Sequence, residues 1–174
     1  MAGELKKYRQ SSFGAEETLF FLEVPTNQAE PETKAYHMAF LRQEADTIDT
    51  GVETETVPDV TQKVQPTEIK SYSPTQAFSG LFLKEDPVCL ALEKVWRERA
   101  TGANAHFNHL EVDAWNKNKA YMTDVTVSIS SITNEAGDKR KIEGSFGFAS
   151  DSVEGTATVD PDTGVATFTP GGAG

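Results

Sequence analysis

The chain has 174 residues, 37% of them hydrophobic, and a formal net charge of -11. That length fits one domain and lets the chain bury about 70% of its unfolded surface, so a core is available without staples. The excess of 27 acidic over 16 basic residues argues against a conventional phosphate-backbone binder, which draws on clustered Lys and Arg, and the absence of a long apolar run excludes a transmembrane helix.

The first residues carry Lys6, Lys7 and Arg9 with no apolar stretch behind them, so no secretory signal is expected. Residues 1–18 read as an N-terminal arm. Leu19, Phe20, Phe21 and Leu22 then form a short buried strand, and 26–33 a polar loop. Residues 34–41 alternate, with Tyr36, Met38 and Phe40 on one side. Residues 45–59 are acidic, rich in threonine and poor in apolar side chains. Thr favours extended backbone, and Gly51 and Pro58 interrupt any regular element, so a long extended loop or protruding hairpin is predicted. Alternation returns at 75–83, where Gly80 between Phe78 and Phe82 marks a bulge or a close backbone approach.

One helix is predicted over 86–101. Asp86 stands at the N-cap and Pro87 at the first helical position, where its missing N–H is harmless. Val88, Leu92, Val95 and Trp96 form an apolar stripe that needs a sheet to cover it. Lys94, Arg97 and Arg99 lie near the end, where cations complement the dipole, and Gly102 is the predicted C′ residue. Cys89, the one cysteine, is expected inside this helix as a small buried residue. It leaves no partner for an internal disulfide, which fits assembly in a reducing cytoplasm.

Residues 106–115 alternate, with Leu110, Val112 and Ala114 on one side and His109, Glu111 and Asp113 on the other. After a turn at 116–119 comes the longest run, 121–132. Tyr121, Thr123, Val125, Val127 and Ile129 face one way; Met122, Asp124, Thr126, Ser128 and Ser130 face the other. This is the pattern of a sheet with one dry and one wet side. A further strand over 141–149 carries Ile142, Phe146 and Phe148 around Gly144. A hairpin pairs 153–159 with 165–168 across a turn containing Asp160, Pro161 and Gly164. Residues 170–174 read as a flexible tail, and no internal repeat is visible.

No catalytic, metal or cofactor motif emerges. There is no phosphate-binding loop, no dinucleotide glycine pattern and no paired Cys/His signature. His106 and His109 are three apart on a strand and face opposite sides, so they do not converge on a metal. Glu111 and Asp113 share a strand face about 7 Å apart. Their neighbours are polar, without the apolar pocket that would raise one carboxyl for acid catalysis. The stretch 144–147 lacks the spacing of a nucleophile elbow. A hydrolase is therefore not expected.

The order of features resembles the major tail tube proteins of long-tailed bacteriophages and related contractile-tail particles. The resemblance rests on the acidic extended stretch, then the helix opened by Asp86 and Pro87 and ending in Arg99, Ala100, Thr101 and Gly102. It continues with Lys119, Ala120, Tyr121 and Met122 opening the long strand, Gly137 and Asp138, and Val153, Glu154, Gly155 and Thr156 before the last hairpin. It covers residues 34–169. It implies a β-sandwich or small barrel of two antiparallel sheets flanked by one α-helix. It also implies hexameric rings stacked into a tube, an acidic channel through which DNA passes during ejection, and a place in the virion tail after assembly in the host cytoplasm. Implied partners are further copies of the chain, a tape measure protein, a tail terminator and baseplate proteins. Carried onto this chain, Asp49, Thr50, Gly51, Val52, Glu53, Thr54 and Glu55 belong to the stacking loop. Glu111, Asp113 and Asp124 are candidates for the channel wall. The alternative from another class is a small β-sandwich module that binds a ligand such as a carbohydrate, with Trp115 and Tyr121 as its aromatic pair.

Overall fold

A computed structural model describes residues 18–172 apart from 28, 40–42, 59, 62, 135–136 and 138. The expected arm at 1–18 and the side chain of Phe40 thus lie outside the described residues, save Thr18 itself, and so do the last two residues of the tail. The strands, in chain order, are β1 (Thr18–Pro25), β2 (Lys34–Met38), β3 (Gln43–Asp49), β4 (Val52–Thr56), β5 (Thr67–Tyr72) and β6 (Thr75–Leu81). After the helix α1 (Pro87–Arg97) come β7 (His106–Asp113), β8 (Lys119–Thr133), β9 (Lys141–Phe148), β10 (Val153–Val159) and β11 (Val165–Pro170).

The architecture is mainly β and antiparallel with one flanking helix, in line with the expectation. The main layers are one continuous sheet, ordered β10-β11-β2-β1-β7-β8-β9-β6-β3, and β4 and β5 form a separate ribbon. The long strand β8 organises it. Its first residues pair with β10, Glu154 opposite Tyr121, which closes β8, β7, β1, β2, β11 and β10 into a small barrel. From Val125 onward the same strand pairs with β9, Val127 opposite Phe146, with a bulge between Ile129 and Ser131. There the sheet leaves the barrel and continues through β9, β6 and β3.

This change of partners explains a burial pattern that alternation alone does not predict. The expected wet side of 106–115 held His109, and that of the long strand held Met122; both positions differ in the structure. Phe21, Leu110, Val112 and Ala120 fill the barrel, with Met122 packed against them. On the opposite face of the same strands, Leu22, Val125 and Val127 meet Phe78, Ile142, Phe146 and the helix stripe Val88, Leu92 and Val95. His109 is 1% exposed on that second face. The strands shared by barrel and helix are buried on both sides, whereas the part of β8 beyond the barrel keeps a wet face.

The helix starts as its sequence predicts. The backbone N–H of Val88 donates to Oδ1 of Asp86 at 2.9 Å, and Pro87 stands at the first turn. Its end differs. The left-handed residue that closes it is Arg99 (φ 54°); Gly102, also left-handed at φ 57°, lies three residues further on, at the start of a short 3-10 turn. The N–H of Ala100 donates to the carbonyl of Val95 and that of Arg99 to Trp96, which closes the helix with the paired bonds of a Schellman motif. Trp96 lies outside the core stripe and is half-buried, while Cys89 joins the buried residues.

Candidate assembly surfaces

Two features of the surface are candidates for function, and both follow from the strand registers. The first is the solvent face of the sheet beyond the barrel. Partners in register share a face, so Asn108 with Asp124, His106 with Thr126, Ser128 with Ser145, and Ser79 with Glu143 all lie on it. The face is polar and carries a hydrogen-bonded network. Nδ1 of His106 lies 2.9 Å from Asp124 Oδ2, and Nε2 lies 3.2 Å from Oγ1 of Thr126. Glu143 accepts from the hydroxyls of Ser131 at 2.8 Å and Ser79 at 3.4 Å. Asn108 donates to Glu23 at 2.7 Å, so the acids Glu23, Asp124 and Glu143 are spread across the surface.

The structure separates the three carboxylates considered for a channel wall. Asp124 is on the polar face, opposite Asn108. Glu111 and Asp113 lie at odd positions of the same ladder, opposite Tyr121 and Lys119, and therefore on the other face. There Asp113 accepts from Thr18 at 3.5 Å. Alternation within each strand leaves the relation between the two strands open; the register fixes it, because Asp124 pairs with an even position of β7.

The second feature is the β4–β5 ribbon. Residues 45–49 continue β3, and Val52, Glu53, Thr54 and Glu55 lie in β4. The stretch predicted as a loop or hairpin is therefore edge strand followed by hairpin, and its second arm, β5, is an element that the sequence reading did not separate. Asp49 accepts from the N–H of Gly51 at 3.0 Å, and the N–H of Ser73 donates to the carbonyl of Gly51. Gly51 sits at φ 55° with backbone of Ser73 where a Cβ would stand, so no larger residue fits this corner. Thr50 follows as the exposed residue before it.

With a bulge between Glu53 and Thr54, the ribbon is two-faced. Val52 pairs with Tyr72 and Thr54 with Ile69 on one side; Glu53 with Ser71 and Glu55 with Glu68 lie on the other. Ser71 donates to Glu53 at 3.1 Å. Both strands are almost wholly exposed. Of the exposed large hydrophobic residues, Ile48, Val52, Val57, Val60, Val64, Ile69 and Tyr72 fall in this one segment. Fully burying such a side chain is worth about 1.5–3 kcal/mol, so the ribbon leaves several kcal/mol of burial unrealised within its own chain. A sequence signal existed in the alternation of Val and Ile with Glu, but the bulge shifts its phase midway.

Other groups are explained by packing. Burial pushes the Cys89 thiol up to about 12, which suits the inert core residue expected from the sequence. The carboxyl of Asp160 is held below its usual range by the N–H of Asp162 and the hydroxyl of Thr163, which shape the β10–β11 turn. Tyr121 lies under the Lys119 ammonium at 5.3 Å, and Trp115 is exposed on the turn after β7. Among the described residues there is no cluster of metal-ligating side chains and no helix long and apolar enough to cross a membrane.

No protein-family model matches the sequence, and no curated protein matches it. Solved structures do match the fold. The tail of an empty gene transfer agent particle, with C6 symmetry, aligns at 11% identity and a TM-score of 0.58, covering 81% of this chain and 97% of that one. The SPP1 tail tube aligns at 11% identity and a TM-score of 0.61, covering 86% and 81%. A chain of the anti-feeding prophage baseplate aligns at 8% identity and a TM-score of 0.50, covering 83% and 95%. The fold of this chain is the one found in phage and phage-like tail tubes.

Proposed function

We propose that this chain is the structural subunit of a tail tube, in which copies join side by side into rings, rings stack, and DNA leaves through the channel toward a host cell. The observation that carries this reading is a pair of open edges on one stretch of sheet. β3 ends the strand order, and beyond Thr126 the β7-side edge of β8 has no pairing strand among the described residues. The ladders from β8 to β9, β6 and β3 are all antiparallel, so β3 and β8 run in opposite directions. β3 of one copy would therefore add antiparallel to β8 of the next, continuing the sheet without a reversal.

Free edges are ordinarily a liability; a head-to-tail joint related by a closing rotation makes them the assembly device. The C6 symmetry of the gene transfer agent tail supports six copies per ring. The polar face would then become the channel lining, with Asp124, Glu23 and Glu143 repelling phosphates so that DNA slides without adhering. Glu111 and Asp113, on the other face, would not line it. The β4–β5 ribbon, including 49–55, would order its apolar face only against a neighbouring ring. In the assembled tail a tape measure protein, a terminator and a baseplate would be its partners, with assembly in the host cytoplasm.

Electron microscopy of concentrated protein, with particle mass over time, tests this. Rings or hollow filaments are expected. Protein that stays monomeric at every concentration, even with a preformed tail tip, sinks the reading. Deleting 49–55 should leave a folded subunit that no longer elongates; normal tubes from the deletion remove the ribbon from the mechanism.

A further inference from the structure

The four-strand stretch has two unlike ends. At one end β6 begins, at Thr75 opposite Gly147, directly after the β4–β5 ribbon; at the other it finishes, with Leu81 opposite Lys141. The ribbon carries Glu53, Glu55 and Glu68 on one face and Val52, Ile69 and Tyr72 on the other. At the far end the carbonyl of Arg140 accepts from the N–H of Phe82, and the Arg140 guanidinium lies 4.6 Å above the Phe82 ring. That guanidinium also reaches Oε1 of Glu93 at 2.9 Å, where Arg97 arrives at 3.2 Å. The bond ties the exposed side of α1 to this end of the sheet.

There the chain, acidic as a whole, carries a local excess of positive charge. Lys94, Arg97 and Arg140 pair with Glu93 and Glu98, and Arg99 stands beside them over Trp96 without a carboxylate of its own among the described residues. The guanidiniums of Arg97 and Arg99 lie 4.9 and 4.8 Å from the Trp96 ring, leaving a half-buried aromatic surface rimmed by charge. Arg99 occupies a left-handed position that Gly or Asn fills at lower cost. Its Nη1 caps the Trp96 carbonyl at 2.9 Å, and its remaining donors face solvent.

We infer that the Trp96–Arg97–Arg99–Arg140 patch is the seat for the acidic β4–β5 ribbon of a second copy of this chain. The inference rests on the tube reading and names its stacking contact. Carboxylates on one ribbon face would meet the guanidiniums, leaving the opposite, apolar face for the rest of the neighbouring ring. Because donor and seat lie at opposite ends of one sheet, the contact is head-to-tail and propagates without limit, as stacking of rings requires. The charge complementarity also fixes polarity: ribbon against ribbon, or seat against seat, brings like charges together.

Charge reversal on each side, in the full chain, tests this. Arg97→Glu with Arg99→Glu, or Glu53→Lys with Glu55→Lys, should each lower filament yield at least tenfold while single rings persist. The four substitutions combined should restore filaments. Asn at position 99 keeps the left-handed backbone, so R99N with R97S serves as a second variant if the glutamates disturb the helix; circular dichroism reports folding for each. Filaments of ordinary yield from the reversed or neutralised patch overturn the inference and assign the cations to a different partner, such as an anionic polymer. Loss without rescue in the combined variant overturns the pairing of these two surfaces. Failure of the unaltered chain to form rings or filaments overturns the tube reading itself, a result distinct from both.

Discussion

The ring of His109 lies 5.5 Å from that of Phe146, and Phe20 and Phe148 close the cage at 5.7 and 5.8 Å. Nε2 has no hydrogen-bond partner. An imidazole so placed is neutral, and burial pulls its pKa down to about 4. In the unfolded chain it titrates near pH 6.5, so between these values the unfolded state binds more protons. Stability should thus be fully present above about pH 6.5 and fall as pH drops toward 4, by on the order of 3 kcal/mol from this residue. Urea unfolding from pH 7 to 4 should show a loss in the natural chain that His109→Leu lacks over the same range. Parallel pH profiles for the two proteins would remove His109 as the cause.

Gly144 sits in β9 opposite Ile129, with the Ser128 carbonyl and the Phe78 ring where a Cβ would project. Phe78 is itself held against Phe146 at 4.7 Å, so it has little room to retreat. Gly144→Ala should destabilise the fold by about 1–3 kcal/mol through overpacking, lowering the thermal midpoint by several degrees. A neutral or stabilised variant would mean that the β8 bulge absorbs the methyl group.

Removing the N-cap carboxyl in Asp86→Ala should cost about 1 kcal/mol, because Val88 N–H loses its acceptor. Asp86→Ser should recover most of it. Equal destabilisation by Ser and Ala in chemical denaturation would assign the role of Asp86 to something other than capping.

The opposite placement of Asp124 and Asp113 on the β7–β8 ladder separates channel from exterior in the proposed tube. Asp124→Lys should leave tubes intact yet slow DNA release, measured as genome ejection from complemented particles. Asp113→Lys should leave ejection at its natural rate. The reverse outcome would invert the sheet in the tube wall.

Local physics makes much of this fold legible in the sequence. Asp86 and Pro87 announced the helix because capping involves only its first turn, and Val125, Val127 and Ile129 announced a dry face because alternation is a property of one strand. The helix ends before Gly102 because Arg99, not a glycine, takes the left-handed closing position, its side chain bonding back to the Trp96 carbonyl. His109 and Met122 could not be read correctly from one strand. Which side of a strand is dry depends on which distant layers cover it, and β8 has the barrel on one side early and solvent there later. Likewise the chain alone placed Glu111, Asp113 and Asp124 in one polar class. Only the pairing of Asn108 with Asp124 puts that aspartate on the exposed face, because register is set by contacts between residues far apart in sequence.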